Sequence, residues 1–217
     1  DFTYELSLYS AADFIRLLAE EYHVKGLLIG YDHRFGHDRS DGFEQYVEYG
    51  GQVGMEVRKA SPYDEGNIRV SSSEIRRLLQ EGKVEMANAL LTYPYQLRGR
   101  IVSGYKVGRT IGFPTANIEV DSPYKLLPKV GVYAVWVELL GKRYKGMLYI
   151  GKRPTLQNGD NLTIEVNILG FSGNAYNDEI TVSFVYAVRE DKTFESVEAL
   201  REQLERDRQT VDKLLVE

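Results

Sequence analysis

The residues best suited to chemistry stand in one glycine-rich stretch, GYKVGRTIGFPTAN, at positions 104–117. Its glycines, Gly104, Gly108 and Gly112, tolerate positive φ and a close backbone approach, which a loop needs when its N–H groups surround phosphate oxygens. The spacing differs from that of a Walker A loop, because three residues separate the first two glycines and Arg109 stands where that motif has lysine. The stretch indicates either another kind of phosphate-binding loop or a plain turn before a strand.

The continuation FPTAN brings two neutral oxygens close together. Pro114 stiffens the chain, and the Thr115 hydroxyl and Asn117 amide stand two residues apart, so they share one side of an extended segment. Such oxygens suit Mg²⁺, which takes few protein ligands beside substrate phosphates. The pattern predicts a magnesium site at Thr115 and Asn117, and the alternative is a local turn made by these side chains.

From Tyr93 onward the elements that must position these residues follow the pattern of β-strands. Five apolar segments separated by Gly, Pro and Asn loops are predicted as strands: QLRGRIV, GVYAVWVEL, RYKGMLYIG, LTIEVNILG and EITVSFVYAV. Strands at such short spacing favour a closed antiparallel barrel. Phe194, Val197, Leu200 and Leu204 then recur at helical spacing, which predicts one C-terminal helix or two.

Residues 1–92 show helix and strand patterns in alternation. Two helix–strand pairs are predicted, and their order implies a parallel sheet: helix 10–22, strand 24–30, helix 43–49 and strand 52–57. Ser71 and Glu74 have the spacing of a capping box, Gly82 follows the last turn, and a short helix over 84–91 closes the segment. Because one βαβ unit needs about 30 residues, this part is either a fragment of a larger nucleotide-binding domain or an appendage packed on the barrel.

Composition excludes several kinds of site. A formal net charge of −5 provides no basic face for nucleic acid, and the lack of cysteine excludes disulfides, thiolate metal sites and cysteine nucleophiles. No apolar run approaches the roughly 20 residues of a membrane span, and the start, DFTYELSLYS, lacks the pattern of a signal peptide. We therefore expect a cytoplasmic protein that binds small molecules, with no nucleic acid or membrane partner.

The stretch 104–117 resembles the signature G-x(3)-G-R-x(2)-G-F-P-T-A-N of riboflavin kinases, including the kinase module of bacterial bifunctional riboflavin kinase/FMN adenylyltransferases. Further segments are similar to the family's later landmarks, in the same order: GVYAV (131–135), IGKRPT (150–155), IEVNIL (164–169), Ala-Tyr-Asn (175–177) and VREDKTF (188–194). The resemblance covers 93–217. It implies a six-stranded Greek-key barrel with C-terminal helices, which phosphorylates riboflavin to FMN with ATP and Mg²⁺.

The same resemblance implies roles for individual residues. The ATP side would comprise residues of the glycine-rich stretch, of which the last two would also hold Mg²⁺: Gly104, Gly108, Arg109, Gly112, Thr115 and Asn117.

On the flavin side, Glu165 would be the catalytic base, and Tyr176 and Arg189 would contact the flavin. Apolar residues at alternate positions of LTIEVNIL put Glu165 and Asn167 on the opposite strand face, toward the site if that face is the mouth of the barrel. The family commonly has histidine where Asn167 stands. The alternatives are an exposed strand carboxylate for Glu165 and an ordinary strand-end cation for Arg189.

Two segments of residues 1–92 resemble the adenylyltransferase module of those bifunctional proteins. GYDHRFGHDRSDGF (30–43) is similar to its D-F-x-F-G loop, and VSSSEIRRLLQEG is similar to its S-S-[ST]-x-I-R segment. The first would supply a flavin-side loop and the second an ATP-phosphate site at a helix N-terminus: Asp32, Phe35, Gly36 and Arg39, and Ser71, Ser72, Ser73 and Arg76. The alternatives are an irregular surface loop and an ordinary capped helix. The predicted domains are thus an incomplete α/β, Rossmann-like nucleotidyltransferase remnant over 1–92 and a kinase barrel over 93–217.

The adenylyltransferase motif H-x-G-H is absent, because His23, His33 and His37 are the three histidines and no pair has that spacing. We therefore expect the parent protein to make FMN from riboflavin and FAD from FMN, and this chain to perform the first step alone. A rival of another class is a non-catalytic barrel that only holds a flavin or a nucleotide. A barrel that stacks single-stranded nucleic acid on its 16 tyrosines is disfavoured by the acidic charge.

Overall fold

The protein folds as two compact units, Asp1–Ile68 and Arg69–Glu217. The computed structural model describes residues 2–37, 39–61, 64–65, 68–104, 108, 111–152 and 162–216, with the backbone alone at 64, 65, 68, 69 and 152. Each unit has its own apolar core. The second unit begins before the change of pattern at Tyr93, because the helices of 72–91 pack on the barrel. A boundary between two modules after residue 92 stays a prediction.

The first unit contains helices and a two-stranded parallel sheet, in the order that the sequence predicts. Its elements are α1 (Tyr4–Ser7), α2 (Ala11–Glu20), β1 (Gly26–Ile29), α3 (Phe43–Gln52) and β2 (Glu56–Lys59). Ser10 caps α2 by accepting the Asp13 N–H. Ile15, Ile29 and Tyr46 are buried in its core.

The predicted strand 52–57 is wrong at its start. Helix α3 continues to Gln52, and the chain then turns through Gly54, whose φ is +70°. That positive φ requires a residue with glycine's freedom and ends the helix, so β2 begins only at Glu56. After β2, a further short sheet pairs β3 (Asp64–Glu65) with β4 (Ile68–Arg69).

The second unit is a closed six-stranded barrel with helices around it. Helices α4 (Ser72–Gln80) and α5 (Val84–Leu91) precede it, and α6 (Val197–Leu214) follows it. Its strands are β5 (Gln96–Val102), β6 (Ala116–Val120), β7 (Gly131–Leu139), β8 (Lys142–Lys152), β9 (Leu162–Ile168) and β10 (Glu179–Glu190).

Around the barrel the strands follow the order β5–β6–β9–β8–β7–β10, and every pair is antiparallel. Strands β7, β8 and β9 are consecutive neighbours, and β10 returns to lie beside β7. This is a Greek-key connection, so the predicted Greek-key barrel is confirmed.

Alternation along the strands separates two apolar layers. One set of side chains fills the barrel and forms its core with residues of α4 and α5: Leu97, Val135, Val137, Leu148, Ile150, Ile164, Val166, Val182 and Phe184, with Leu78, Leu79, Val84 and Ala87. The other set, on the outer face, packs with the C-terminal segment: Phe113, Val132, Ala134 and Met147, with Val211 and Leu215. Helix α6 therefore covers part of the outer face of the sheet.

The caps predicted for α4 at Ser71 and Gly82 are confirmed, but the reciprocal bond of a capping box is not formed, because the Glu74 carboxylate pairs with Arg77. Ser71 accepts the Glu74 N–H, and Gly82 follows α4 with φ of +80°. Ser196 caps α6 in the same way, and α6 is a single helix rather than two. No helix in the described part of the chain has both the length and the apolar character needed to cross a membrane.

The amide side chain of Asn88 links helix α5 to two strands of the barrel. The Asn88 Oδ1 atom accepts the Tyr95 N–H at 2.8 Å, and its Nδ2 atom donates to the Phe184 carbonyl at 2.8 Å. The pairing of β10 with β7 has a register shift between Phe184 and Tyr186. Asn88 therefore satisfies a backbone carbonyl at an irregular point of the ladder.

Phe184 should be the most informative core position for barrel stability. Its ring is fully buried and packs edge-on against Tyr133. We expect Phe184→Ala to lower the free energy of unfolding of the barrel unit by about 3–5 kcal/mol, measured by denaturant titration. The fluorescence of Trp136, the chain's single tryptophan, reports on this unit because it lies in β7.

Tyr124→Ala is the control, because that ring is 94 % exposed and its removal should leave the unfolding midpoint unchanged. Equal midpoints for Phe184→Ala and the wild-type protein would contradict the assignment of the core.

Candidate active site

The site is built on one row of residues that runs across five neighbouring strands. Asn117 on β6 lies opposite Glu165 on β9, Glu165 opposite Tyr149 on β8, Tyr149 opposite Val132 on β7, and Val132 opposite Arg189 on β10. All five stand on the outer face, since their neighbours Val166, Leu148 and Tyr133 belong to the barrel core. Strand pairing therefore brings together residues up to 72 positions apart in sequence.

The Glu165 carboxylate and the Thr115 hydroxyl meet at one end of this row. Thr115 Oγ1 donates to Glu165 Oε2 at 3.0 Å, and both side chains are partly buried. Next to them, Asn167 Nδ2 donates to the Pro114 carbonyl at 2.6 Å. These bonds tie the FPTAN segment to β9 and fix the hydroxyl beside the carboxylate.

The glycines of the 104–117 stretch are required by close packing and by backbone conformation. A Cβ atom on Gly104 would overlap the Asn117 side-chain amide, and one on Gly108 would overlap the Phe113 carbonyl. Gly112 has φ of +87° in a turn closed by the Phe113 N–H, which donates to the Gly108 carbonyl at 2.8 Å. The loop therefore approaches Asn117 more closely than any other residue type would allow.

A cavity of about 330 Å³ lies on the outer face between the sheet and α6. Its apolar walls come from the loop, the strands and the helix: Ile111, Phe113, Val132, Met147, Phe194, Leu200 and Leu204. Its polar groups are Thr115, Tyr149, Glu165, Asn167, Arg189, Asp191 and Lys192. A mainly apolar cleft of this size with a few polar groups is typical of a small-molecule site.

Arg189 is held at the opposite end of the row from Glu165. Its Nε atom donates to Asp207 Oδ2 at 2.8 Å and its Nη1 atom to the Glu190 carbonyl at 3.0 Å. The guanidinium carbon lies 5.6 Å from the centre of the Phe194 ring. Three strand spacings separate the backbones of Arg189 and Glu165, about 14 Å.

Tyr149, in the middle of the row, is neutral over the physiological pH range. Its hydroxyl donates to Asp191 Oδ1 at 3.0 Å. Burial and, after it, this hydrogen bond and the charges of Asp191 and Glu165 raise the pKa of Tyr149 to about 12. The phenol is therefore a hydrogen-bond donor placed between the two carboxylates.

The structure places most, but not all, of the predicted kinase residues around this cavity. Gly108, Thr115, Glu165 and Arg189 line it, and Asn117 is the cross-strand neighbour of Glu165. Tyr176 lies elsewhere, in the turn before β10, where its N–H donates to Asn174 Oδ1. Residue 109, and with it the predicted role of Arg109, lies outside the described residues.

The face of β9 that carries Glu165 is the outer face of the barrel and not its mouth. The barrel holds the packed side chains of the core, whereas Glu165 and Asn167 point to the outer face covered by α6. The alternation that predicted opposite faces for Glu165 and its apolar neighbours is correct, and only the identity of the functional face differs.

Several residues of the site escaped the sequence reasoning. Tyr149 stands in no motif, and Asp191 stands in VREDKTF without a role of its own being predicted. Their proximity arises from the pairing of β8 with β7 and of β7 with β10. Asp207 had a detectable signal, because it interrupts the apolar spacing of Leu200, Leu204 and Val211 along α6 with a carboxylate.

The residues expected for adenylyl transfer fall in both compact units. In the first unit, Phe35 stacks on Tyr46 at 4.3 Å, and Tyr46 Oη donates to the Asp41 carbonyl at 3.0 Å, so Phe35 and Asp41 are anchored on α3. The described residues between β1 and α3 form no helix or strand. Asp32 and Arg39 are exposed there, and Gly36 has φ of +96°. In the second unit, Ser71 caps α4, its first residues are Ser72 and Ser73, and Arg76 is exposed. Their ligand contacts stay predictions.

Fold and site together define a small-molecule-binding barrel with a carboxylate–hydroxyl pair at one end of its cavity. Two family models match the sequence: the riboflavin kinase model over residues 91–215 and the FAD synthetase model over residues 1–74. The first match covers more than half of the chain. The chain therefore belongs to the riboflavin kinase family.

Curated relatives combine the same two parts. Proteins named bifunctional riboflavin kinase/FMN adenylyltransferase from Listeria monocytogenes and Escherichia coli (strain K12) are 37 % and 36 % identical over 96 % and 93 % of this chain. One from Bacillus subtilis (strain 168) is 41 % identical over 67 % of this chain and 46 % of its own length. The chain spans 66 % and 64 % of the Listeria and Escherichia proteins, just under two thirds.

A solved structure resembles the chain closely. The crystal structure titled Macrolide-efflux Protein from Streptococcus pneumoniae matches with a TM-score of 0.87 and 31 % identity, over 98 % of this chain and 68 % of that one. Its title describes that protein. The functional assignment of this chain depends on the family models and the curated relatives.

The Tyr149–Asp191 hydrogen bond can be tested by titration. We expect Asp191→Asn to lower the pKa of Tyr149, because the negative charge that favours the neutral phenol is removed and an amide oxygen is a weaker acceptor than a carboxylate. The pKa should stay above the ordinary 10.0, because burial, the largest cause, remains. The measurement is an alkaline titration of the tyrosine ¹³Cζ resonances by NMR, with Tyr149 assigned from Tyr149→Phe.

Tyr133 is the internal control, because burial in the barrel raises its pKa to about 12 as well and Asp191 is not among its causes. An unchanged Tyr149 titration in Asp191→Asn would rule out the Asp191 carboxylate as a cause of the raised pKa.

Proposed function

We propose that the protein is a riboflavin kinase that transfers the γ-phosphoryl group of ATP to the 5′-hydroxyl of riboflavin, giving FMN and ADP. Family membership implies these substrates and products. The observation that carries the proposal is the contact of Thr115 Oγ1 with Glu165 Oε2 at 3.0 Å, beside Asn117 and the glycine-rich stretch. A pure binding module has no need of a carboxylate at that position.

The cavity suits a flat ring with a polar tail. Apolar side chains from the sheet and from α6 face each other across it, so a tricyclic ring can be buried between them. Glu165 and Arg189 stand about 14 Å apart along the row, a length comparable with that of a flavin and its sugar-alcohol tail. The tail would reach Glu165, and the far edge of the ring would reach Arg189.

The ATP phosphates would lie on the other side of Glu165, at Asn117 and the stretch beginning with Gly104. Oxygen donors at Thr115 and Asn117 fit Mg²⁺. Within the described residues no cluster of three or more acidic, histidine or cysteine side chains offers a stronger metal site. Mg²⁺ takes few protein ligands when substrate phosphates supply the rest. When bound, the ion would compensate phosphate charge, and the loop glycines would let backbone N–H groups approach the same oxygens.

Glu165 would act as the general base. The 5′-oxygen of riboflavin forms a bond to the γ-phosphorus, the bond from that phosphorus to the β,γ-bridging oxygen breaks, and the hydroxyl proton passes to the Glu165 carboxylate. The hydrogen bond from Thr115 fixes one carboxylate oxygen, which leaves Oε1 to receive the proton. Helix α6 and Phe194 would exclude water, so the phosphoryl group reaches the flavin instead of being hydrolysed.

For a longer protein that contains this chain, we propose that it also adenylylates FMN to FAD. The relatives are named for both activities, and the FAD synthetase model matches residues 1–74. The expectation that the present 217 residues make FMN without FAD stays a prediction, as does the cytoplasmic location.

Replacement of the base should separate catalysis from binding. We expect Glu165→Gln to lower kcat for FMN formation by about 10²–10⁴-fold, with little change in riboflavin binding, because the amide keeps the side-chain shape. The assay incubates riboflavin with ATP and Mg²⁺ and separates riboflavin, FMN and FAD by chromatography. The same chromatogram tests whether FAD is absent.

Glu138→Gln is the matched control, since Glu138 is an exposed strand carboxylate of the same barrel and its replacement should leave kcat unchanged. A wild-type protein that binds riboflavin but forms no FMN would favour the non-catalytic barrel. Wild-type turnover in Glu165→Gln would remove Glu165 from the mechanism.

Gly104 should be intolerant of a methyl group. We expect Gly104→Ala to lower kcat/KM for ATP by about 10²-fold, because the new Cβ atom displaces the Asn117 amide from the phosphate side. Riboflavin affinity should change little, because Gly104 does not line the flavin cavity. Gly51→Ala is the control, since a Cβ atom there has no neighbour within 4 Å. Equal ATP kinetics in the two variants would contradict a role for the Gly104–Asn117 contact.

A further inference from the structure

The apolar face of α6 contains one carboxylate that the proposed mechanism does not use. Asp207 is 2 % exposed, whereas the other acidic residues of this helix lie on its solvent side. It stands between Leu204, which lines the cavity, and Val211, which is fully buried. A buried carboxylate requires strong partners, because losing its water is costly.

Both oxygens of Asp207 have such partners. Its Oδ2 atom accepts from Arg189 Nε at 2.8 Å, and its Oδ1 atom accepts from Gln203 Nε2 at 2.8 Å. Gln203 lies one helical turn earlier on α6, so the carboxylate is itself held in one orientation. Arg189 is thereby fixed from the helix through Nε and from its own strand through the Glu190 carbonyl.

The guanidinium group has donors that these two bonds do not use. A guanidinium has five N–H donors, and the two bonds to Asp207 and Glu190 use two of them. Arg189 lines the cavity, and Phe194 packs over its guanidinium. Within the described part of the chain, the group is oriented but not fully used.

Stability is a weak explanation for this ion pair. A buried pair contributes little or nothing relative to apolar residues of similar volume. Helix α6 is already attached to the sheet through Val211 and Leu215, and Lys145 Nζ donates to the Asp212 carbonyl at 3.0 Å. Attachment of the helix therefore does not require a carboxylate at position 207.

We propose that Asp207 is a positioning residue that presents Arg189 to the carbonyl-bearing edge of the flavin ring. This inference rests on the proposed kinase function. The carbonyl edge fits better than a phosphate, because Arg189 lies about 14 Å from Glu165 along the row, at the end remote from phosphoryl transfer. Ring carbonyl oxygens accept hydrogen bonds from a planar guanidinium. The C-terminal helix thus selects the flavin through a strand residue.

The test compares Asp207→Asn, Arg189→Gln and the double variant in the full chain. Riboflavin affinity is measured by the change of flavin fluorescence on binding, and KM for ATP and kcat by the FMN assay. We expect Asp207→Asn to weaken riboflavin binding about tenfold, because a charge-assisted bond to Arg189 is lost. KM for ATP should stay within twofold.

Dependence on Arg189 is the decisive readout. If Asp207 acts through Arg189, the double variant binds riboflavin no more weakly than Arg189→Gln alone. Asp212→Asn is the matched control, since it makes the same chemical change five residues later on α6 in an exposed ion pair, and it should leave riboflavin affinity unchanged. A riboflavin analogue with sulfur in place of a ring carbonyl oxygen should bind the wild-type protein more weakly than riboflavin does, because sulfur is a weak acceptor. This difference in affinity should be smaller in Arg189→Gln.

The possible results separate the inference from the function on which it rests. A wild-type protein that forms no FMN overturns both. An active wild-type protein overturns the inference alone in any of three cases: Asp207→Asn binds riboflavin normally, it weakens ATP and riboflavin equally, or its effect persists in the Arg189→Gln background.

Discussion

The chemistry of this protein depends on the register of its barrel strands. Asn117, Glu165, Tyr149 and Arg189 are brought into one row because each lies opposite its neighbour in an antiparallel ladder. A slip of one residue in β9 would turn Glu165 into the barrel and Val166 out of it. The packed core resists that slip, since Ile164 and Val166 are buried among the other strands. The residues that stabilise the fold therefore also hold the geometry of the candidate site.

Helix α6 turns this row into a site. The sheet alone would present its polar row to water, where a carboxylate or a phenol is strongly hydrated. Leu200 and Leu204 cover the row and enclose the cavity, and Phe113 and Phe194 close it from the loops. In this partly dry space the pKa of Tyr149 rises and a bond to Glu165 becomes stronger than it would be at the surface. The barrel strands thus set the positions of the polar side chains, and α6 shields these side chains from water.

The features that depend on local sequence pattern could be predicted from the sequence. The glycine-rich stretch, the family and the facing of Glu165 follow from residues within a few positions of one another, and the family assignment and the barrel are confirmed. Which barrel face is functional could not be predicted, because alternation distinguishes two faces without saying which one a helix covers. The cross-strand pairing of Arg189 with Val132 also could not be predicted, since β10 has two register irregularities before Arg189. Asp207 could be predicted in part: the sequence shows a carboxylate on an apolar helix face, but it does not show that Arg189 is its partner.

The amide of Asn88 bears on where this chain can be divided into folding units. It bridges the entry into β5 and an irregular carbonyl in β10, two points that close the barrel. A fragment beginning at residue 93 would keep every strand and yet leave the Tyr95 N–H and the Phe184 carbonyl to find water at a packed interface. The smallest fragment that folds as this barrel should therefore include α5. The start of the folding unit then lies upstream of the sequence motifs by which the barrel is recognised.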